Sequence, residues 1–225
     1  MFFGSENKKL LVFGDGTLSE MSAYLFKADV NVFAHVVDSK YKQKETLNNT
    51  PVLELESLFD YVSNQSAQVI LPLGYTNING VRENKFKYFN ELGIEIASFI
   101  HASSTVWDDF KCQKNVIIYE QVIIQPFVQV GENTLIRAGA NLGHHTVIGK
   151  NCFIASQVVT GGNVTIKERC FIGLGATIRD GITIAERCFI GAGAVVVGDT
   201  EAGGVYLGNP AKKITKTSAQ VTNII

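Results

Sequence analysis

One apolar position recurs every six residues through the second half of this 225-residue chain, without a slip in phase. Counting in sixes from Ile100 to Val196 gives seventeen positions, and fifteen of them are aliphatic. The positions are Ile100, Val106, Cys112, Ile118, Ile124, Val130, Ile136, Leu142, Ile148, Ile154, Thr160, Ile166, Ile172, Ile178, Ile184, Ile190 and Val196. So short a fixed period predicts a solenoid, in which every short strand turns one side chain into a shared core.

The repeat has a second, longer period of eighteen residues. The segment 168–176 (ERCFIGLGA) matches 186–194 (ERCFIGAGA) at eight of nine positions. Three hexapeptides therefore build one triangular coil. Cys152, Cys170 and Cys188 are also spaced by eighteen, so we expect them to stack in successive coils, about 4.8 Å apart. They lack the spacing of metal ligands and are interpreted as small structural core residues.

Residues 1–99 follow a different pattern, in which apolar strand-like runs alternate with helical segments. The strand-like runs are 9–14, 30–38, 67–74 and 94–100, the helical segments are 17–28 and 84–93, and 51–64 is interpreted as a strand edge leading into a helix. This alternation is typical of a small α/β domain with a parallel, Rossmann-like sheet. The sequence thus predicts an α/β domain over 1–99, an all-β solenoid with a C-terminal loop over 100–214, and a loosely ordered tail over 215–225.

Charge and hydropathy argue against several classes of protein. Lys and Arg total 20 against 21 Asp and Glu, so the basic excess of a nucleic-acid binder is missing. No apolar run reaches the roughly 18–20 residues that a membrane helix needs. The first residues do not have the pattern of a signal peptide, and we expect a cytoplasmic protein. No metal site is predicted, because the cysteines form no C-x-x-C pair.

The hexapeptide pattern over about 100–197 resembles the left-handed parallel β-helix of bacterial acyltransferases. The handedness is implied by the resemblance, since right-handed crossovers are the general rule. With the short α/β domain in front, nearly the whole chain is similar to the sugar N-acetyltransferases that modify nucleotide-linked 4-amino sugars. The bacillosamine- and perosamine-pathway enzymes share this layout, as do relatives of sialic acid O-acetyltransferase.

The resemblance implies an acyltransferase that moves an acetyl group from acetyl-CoA to the amino group of a nucleotide-linked amino (dideoxy) sugar. Its place would be surface glycan (lipopolysaccharide) biosynthesis, and its assembly a homotrimer with active sites between subunits. The alternative within this fold is an O-acetyltransferase that acts on a sugar hydroxyl.

Acyl transfer requires a base for the proton of the nucleophile and donors for the oxyanion. His144 and His145 fall between the inward positions Leu142 and Ile148, near a coil corner, and His144 occupies the place of the family's catalytic histidine. The family usually has Asp or Glu at the position of His145. A neutral histidine there supplies no negative charge to orient the imidazole of His144. His145 as the base is the alternative assignment. In the segment TGGNV (160–164), Gly162 matches the glycine whose amide stabilises the acyl oxyanion.

The family also implies a place for the coenzyme, whose pantetheine arm runs along the groove between subunits beside the late coils. The predicted contacts are Gly162, Gly173, Ala176, Gly191 and Ala194. The segment 205–214 closes the repeat, and Lys212 or Lys213 is expected near the coenzyme phosphates. A plain capping loop is the alternative for this segment.

The N-terminal domain is expected to hold the nucleotide sugar. The candidate contacts are Gly14, Asp15, Gly16, Asp38, Gly74 and Arg82, the last as a phosphate partner. The turn after the first strand would direct main-chain amides at a phosphate from a helix start. It is not a complete G-x-G-x-x-G motif, because Ser19 replaces the third glycine, and the histidine that relatives carry in this turn is absent.

Three other function classes are considered for the same sequence. A γ-type carbonic anhydrase shares the solenoid but needs three zinc-binding histidines, and only His144 and His145 lie in the repeat body. A sugar nucleotidyltransferase is disfavoured because the front domain is short and lacks the glycine-rich signature of that class. A non-catalytic scaffold is the third alternative. His35 and His101 are interpreted as packed or surface residues.

Overall fold

The N-terminal part of the chain forms the expected sheet. The structure, a computed structural model, describes residues 1–58 and 66–221. Its first strands are β1 (Phe2–Phe3), β2 (Lys9–Phe13), β3 (Val32–Val37), β4 (Thr46–Leu47), β5 (Thr50–Glu54), β6 (Ala67–Ile70), β7 (Glu95–Ile96) and β8 (Ser98–Ile100). Strands β2 to β7 make one sheet in the order β4-β5-β3-β2-β6-β7, in which only the β4–β5 pair is antiparallel among the described strands.

Two described helices flank this sheet, α1 (Thr17–Phe26) and α2 (Gly80–Glu91), and a 3₁₀ turn spans Ser39–Tyr41. Central strand β2 is buried on both sides, as expected for a parallel sheet with helices on its faces. The strand expected at the start of 51–64 is β5, but most of the helix predicted to follow it lies outside the described residues.

The rest of the chain is a parallel β-helix of two-residue strands. They are β9 (Thr105–Val106), β10 (Ile117–Ile118), β11 (Ile123–Ile124), β12 (Gln129–Val130), β13 (Leu135–Ile136), β14 (Asn141–Leu142), β15 (Val147–Ile148), β16 (Phe153–Ile154), β17 (Val159–Thr160), β18 (Thr165–Ile166), β19 (Phe171–Ile172), β20 (Thr177–Ile178), β21 (Thr183–Ile184), β22 (Phe189–Ile190) and β23 (Val195–Val196). The second residue of each is the sixfold position of the sequence. Cys112 is the exception, since it lies outside any strand.

The strands stack on three faces with a register of eighteen residues. With the two later strands β24 (Gly204–Leu207) and β25 (Lys212–Thr217) included, the first face runs β1-β8-β10-β13-β16-β19-β22-β24-β25. The second face runs β23-β20-β17-β14-β11-β9, and the third β12-β15-β18-β21. Strands β24 and β25 continue the first face beyond the repeat. Isoleucines such as Ile136, Ile154 and Ile172 are fully buried and pair one above another, so the predicted solenoid is confirmed.

The cysteines of the repeat line the interior, as predicted. Cys152, Cys170 and Cys188 are fully buried, and their thiols lie 3.0–3.2 Å from main-chain carbonyls of the following coil. Burial raises the pKa of Cys170 and Cys188. Neutral thiols inside an apolar core act as small packing groups.

The outer side of the first face carries a ladder of aromatic rings. Phe153, Phe171 and Phe189 stack at centroid distances of 5.6 and 4.8 Å, and Tyr75 from the N-terminal domain packs 4.5 Å from the middle ring. Since each ring belongs to the next coil, the ladder repeats at strand spacing. It forms the surface on which the N-terminal domain lies.

The C-terminus differs from the loose tail expected over 215–225. Residues up to Thr217 belong to β25, which pairs antiparallel with β24, and Ser218–Gln220 form a 3₁₀ turn. The prediction is therefore wrong for 215–220, because an open sheet edge exposes unpaired main-chain groups that β25 satisfies for β24. Residues 222–225 lie outside the described residues.

Candidate active site

The two adjacent histidines lie at the corner between the second and third faces. In successive coils this corner consists of residues 125–127, 143–145 and 161–163, which we call the histidine corner. Both imidazoles are exposed, and their Nδ1 atoms lie 3.1 Å apart, with ring planes at 86°. One Nδ1 must carry the shared hydrogen. Where His144 is the donor, its Nε2 keeps the lone pair that a general base needs.

Neighbouring coils hold His144 in place from both sides. Its N–H donates to Oε1 of Gln125 at 3.0 Å in the preceding coil. Its carbonyl accepts a hydrogen bond from the N–H of Asn163 at 2.8 Å in the next coil. Sequence reasoning missed Gln125, whose only signal was a polar residue one coil before the histidine pair. These bonds fix the main chain beneath the imidazole.

His145 adopts a left-handed backbone, with φ of 59°. The residues above and below it at the corner do the same, Phe127 with φ of 64° and Asn163 with 55°. The ring of His145 packs 4.7 Å from that of Phe127. No ion pair of the described residues involves either imidazole, and within this chain the side-chain contact of His144 is with Nδ1 of His145.

Gly162 lies directly against the imidazole of His144. A Cβ atom at Gly162 would be 2.5 Å from Nε2 and 2.9 Å from Nδ1, closer than atoms approach in folded proteins. Among the hydrogen bonds of the described residues, the carbonyl of Gly162 accepts from Gly181 and its N–H has no acceptor. A side chain at position 162 would therefore displace the imidazole of His144, whereas glycine leaves the ring in contact with the main chain and its N–H without an acceptor in the described part of the chain.

Thr160, the polar break in the sixfold series, lies inside the coil below the corner. Its Oγ1 accepts the N–H of Gly143 at 2.9 Å and is 3.3 Å from Oγ1 of Thr146. At the equivalent position one coil earlier, the N–H of Gln125 donates to the main-chain carbonyl of Leu142 instead, at 3.1 Å. The hydroxyl thus replaces a main-chain acceptor just before His144.

A cavity of about 770 Å³ opens elsewhere on the same coils. Its walls are Leu18 of α1, Tyr75, the phenylalanine ladder, the corner between the first and second faces, and the C-terminal strands. The predicted coenzyme residues Gly173 and Gly191 line it. His144 and Gly162 do not, because the histidine corner is a different corner of the triangle.

Ala176 and Ala194, also predicted to contact the coenzyme, are fully buried inside the coil. They stand two residues before the inward positions Ile178 and Val196, so their side chains point to the same interior. The prediction that they line the coenzyme surface is wrong.

The lysines of the closing segment lie on the outside of β25. Lys212 is exposed, and Nζ of Lys213 is 2.6 Å from a carboxylate oxygen of Glu201. This hydrogen bond raises the pKa of Lys213. Neither side chain lines the cavity, whereas Lys216 does.

The turn after β2 has the geometry expected of a helix-start anion site. Gly14 has φ of 107°, a value that favours glycine, and Gly16 precedes α1 with no side-chain cap. Asp15 lies half-buried between them. Ser19, at the position of the missing third glycine, packs against Gly14 and donates to the carbonyl of Phe13 at 3.2 Å. The first N–H groups of α1 have no acceptor within the helix.

His35 supports this turn from inside the sheet. Its Nδ1 is 2.9 Å from the carbonyl of Gly14, and burial lowers the pKa of the imidazole. Asp38, at the end of β3, forms an ion pair with Lys85 of α2. Sequence reasoning did not include Lys85, which lies beside the predicted nucleotide contacts.

Arg82 is not available to a phosphate, contrary to the prediction. Its side chain is fully buried and donates to the carbonyls of Leu73 at 2.9 Å, Gly74 at 3.1 Å and Asn133 at 3.2 Å. It also reaches the carbonyl of Cys152 at 2.9 Å, so it fastens the N-terminal domain to the β-helix. Desolvation lowers the pKa of the guanidinium to about 10.

Two further properties concern the described residues. They hold no group of three or more His, Cys, Asp or Glu side chains arranged to bind a metal ion. None of their helices is long and apolar enough to cross a membrane.

The exposed histidine pair and the adjacent glycine thus lie at one corner of a regular stack of hexapeptide coils. Segments 127–162, 145–180 and 163–198 match the family described as bacterial transferase hexapeptide (six repeats). Residues 127–198 therefore consist of these repeats. No curated protein matches the chain by sequence.

Solved structures share the fold over nearly the whole chain. The acetyltransferase domain of PglB from Neisseria gonorrhoeae has a TM-score of 0.83 at 24% identity, covering 92% of this chain and 100% of that one. PerB from Caulobacter crescentus, solved with CoA and GDP-perosamine, has 0.83 at 23%, covering 92% and 97%. WeeI from Acinetobacter baumannii has 0.67 at 20%, covering 92% and 100%. These matches confirm the fold class, an α/β domain followed by a left-handed parallel β-helix.

Proposed function

We propose that this protein is an acetyl-CoA-dependent acyltransferase that acetylates the amino group of a nucleotide-linked amino (dideoxy) sugar. The observation that carries the proposal is the exposed imidazole of His144 packed on Gly162 at a corner of the hexapeptide solenoid. The structural neighbours support the substrate class, since PerB was solved with CoA and GDP-perosamine and the PglB domain with acetyl-CoA.

In the proposed reaction the sugar amine attacks the thioester carbonyl of acetyl-CoA. Nε2 of His144 accepts the proton that the nitrogen loses, and the N–H of Gly162 donates to the oxyanion that forms. Collapse of this intermediate breaks the carbon–sulfur bond, and the protonated imidazole returns its proton to the departing thiolate. His145 holds the ring of His144 through the Nδ1 contact.

The histidine corner and the cavity lie apart on one chain, and we therefore include a homotrimer in the proposal. The histidine corner and the cavity lined by Gly173 and Gly191 belong to different corners of one β-helix. A homotrimer would bring the histidine corner of one chain to the cavity of the next. We place the reaction in the cytoplasm, in the biosynthesis of surface glycans.

The test is release of CoA from acetyl-CoA in the presence of amino and hydroxy sugar nucleotides. Acetylation of an amino sugar nucleotide, lost in the variant His144→Ala, supports the proposal. Turnover only with acceptors that offer a hydroxyl group would show instead that the protein is an O-acetyltransferase. Absence of CoA release with every acceptor would contradict acyl transfer.

A further inference from the structure

The cavity between the two domains carries positive charge only. Its charged lining residues are Arg137 and Lys216, and no carboxylate of the described residues lines it. The rest of its wall is largely apolar, including the phenylalanine ladder. Electrostatic attraction in such a surrounding is stronger than in water, so this cavity favours an anionic ligand.

Of the two cationic residues, Arg137 is the better candidate for binding an anionic ligand. Its guanidinium lies over the ring of Tyr119, 4.2 Å from the centroid, and Nη2 is 3.6 Å from the sulfur of Met21. Nη1 is buried and has no hydrogen-bond partner among the described residues. Arg137 as a whole is half-buried, but a buried N–H group without an acceptor is costly, and a ligand oxygen would relieve that cost.

The surroundings of Arg137 suit a phosphate. Leu18, in the first turn of α1, lines the same cavity, so the positive end of that helix is close by. A planar guanidinium can donate two parallel hydrogen bonds to a phosphate. Arg82, the arginine that the sequence suggested for this purpose, is fully used between the domains.

The second cation stands at the far end of the same groove. Arg137 follows β13 and Lys216 lies on β25, five strands apart on the first face, or about 24 Å. The two cationic residues therefore lie well apart along one largely apolar cavity floor. The distance between them is long enough for an extended ligand, or for two ligands that meet between the cations.

We propose that Arg137 binds a phosphate oxygen of a ligand in this cavity. The inference rests on the proposed function, in which both the nucleotide sugar and the coenzyme carry a diphosphate. Arg137 belongs to the β-helix, whereas Leu18 and Tyr75 belong to the N-terminal domain. Phosphate binding here would therefore use both domains together.

The test is calorimetric titration of the full chain with GDP, UDP and dTDP, with the matching nucleosides, and with CoA and pantetheine. The variants are Arg137→Gln and Arg137→Lys, and Arg187→Gln, an exposed arginine outside the cavity, is the control. Loss of a charge-assisted hydrogen bond predicts about 10- to 100-fold weaker binding of the phosphate ligand in Arg137→Gln. Arg137→Lys should recover part of it.

The nucleosides and pantetheine, which lack the phosphate, distinguish a lost phosphate contact from a misfolded variant, because misfolding would weaken the binding of every ligand. If Arg137→Gln weakens a nucleoside diphosphate but not its nucleoside, the nucleotide is the source of the phosphate. If it weakens CoA but not pantetheine, the coenzyme is the source. Equal weakening with and without phosphate, unchanged binding of all ligands, or a wild-type chain that binds no phosphate ligand would overturn the proposal. Because no turnover is measured, a missing acetyltransferase activity would leave these outcomes distinguishable.

Discussion

The imidazole of His144 rests on the α-carbon of Gly162 so closely that no side chain fits between them. In the proposed reaction His144 is the base and Gly162 supplies a main-chain donor, and the two residues lie eighteen positions apart in sequence. Stacking of successive coils is what makes them neighbours. The first predictions follow from this pair.

Substituting Gly162→Ala should reduce kcat/KM at least 100-fold, because the methyl group displaces the imidazole and disturbs the oxyanion donor, each worth about 10²-fold or more. The measurement is steady-state kinetics with acetyl-CoA. Gly198→Ala is the matched control, since Gly198 holds the same corner position two coils further on and a Cβ atom added there meets no other atom within 4 Å. Equal activity of the two variants would contradict the site.

The two histidines should respond differently to removal. We expect His144→Ala to lower kcat by about 10²–10⁴-fold, the usual effect of losing a general base. His145→Ala should cost less, because it removes only the partner that orients the ring. Kinetics of both variants under one set of conditions decide the assignment, and a larger loss in His145→Ala would make His145 the base.

Thr160→Val would restore the aliphatic pattern of the repeat, yet we expect it to destabilise the protein. The N–H of Gly143 loses its acceptor, and an unpaired buried donor costs about 1–3 kcal/mol. Urea unfolding and kinetics should both show a loss, since Gly143 precedes His144. A variant more stable than the wild type would show that the hydroxyl is dispensable.

Arg82→Met should lower the free energy of unfolding by at least about 1–3 kcal/mol, the cost of leaving a buried hydrogen-bonding group unpaired. The substitution leaves the carbonyls of Gly74, Asn133 and Cys152 without this donor. Denaturant unfolding measures the change, and Arg187→Gln, at an exposed arginine, should stay within about 0.5 kcal/mol. If Arg82→Met kept the full stability of the wild type but bound nucleotides more weakly, Arg82 would be a phosphate ligand after all.

His35 should make the protein less stable in mild acid. Burial lowers the pKa of its imidazole below the ordinary value of 6.5, so the unfolded chain binds the proton first as the pH falls. The free energy of unfolding therefore decreases below about pH 6.5, until the folded form is protonated too. Urea unfolding at pH 7.5 and 5.5 should show a smaller decrease for His35→Gln than for the wild type. Identical decreases would contradict a neutral buried His35.

Sequence reasoning located the histidine corner but could not describe its contacts. The position of His144 between Leu142 and Ile148 places it at a corner, because the period of six tells strand from turn. Gln125 and Phe127 carry no signal of their own, since their contacts to the histidines come from stacking of coils. The prediction for Ala176 is wrong because a residue two positions before the inward one points into the coil, as the buried Cys170 does one hexapeptide earlier.

The sequence by itself determined the division into two domains and the β-helix, because strict periodicity is a local property that every coil repeats. The tertiary structure alone decided how the charged residues are used. Arg82 became a buried link and Arg137 a cation facing a cavity, since the way one domain lies on the other sets which carbonyls and anions each can reach. Partners of a long side chain depend on this packing, and no short-range pattern encodes it.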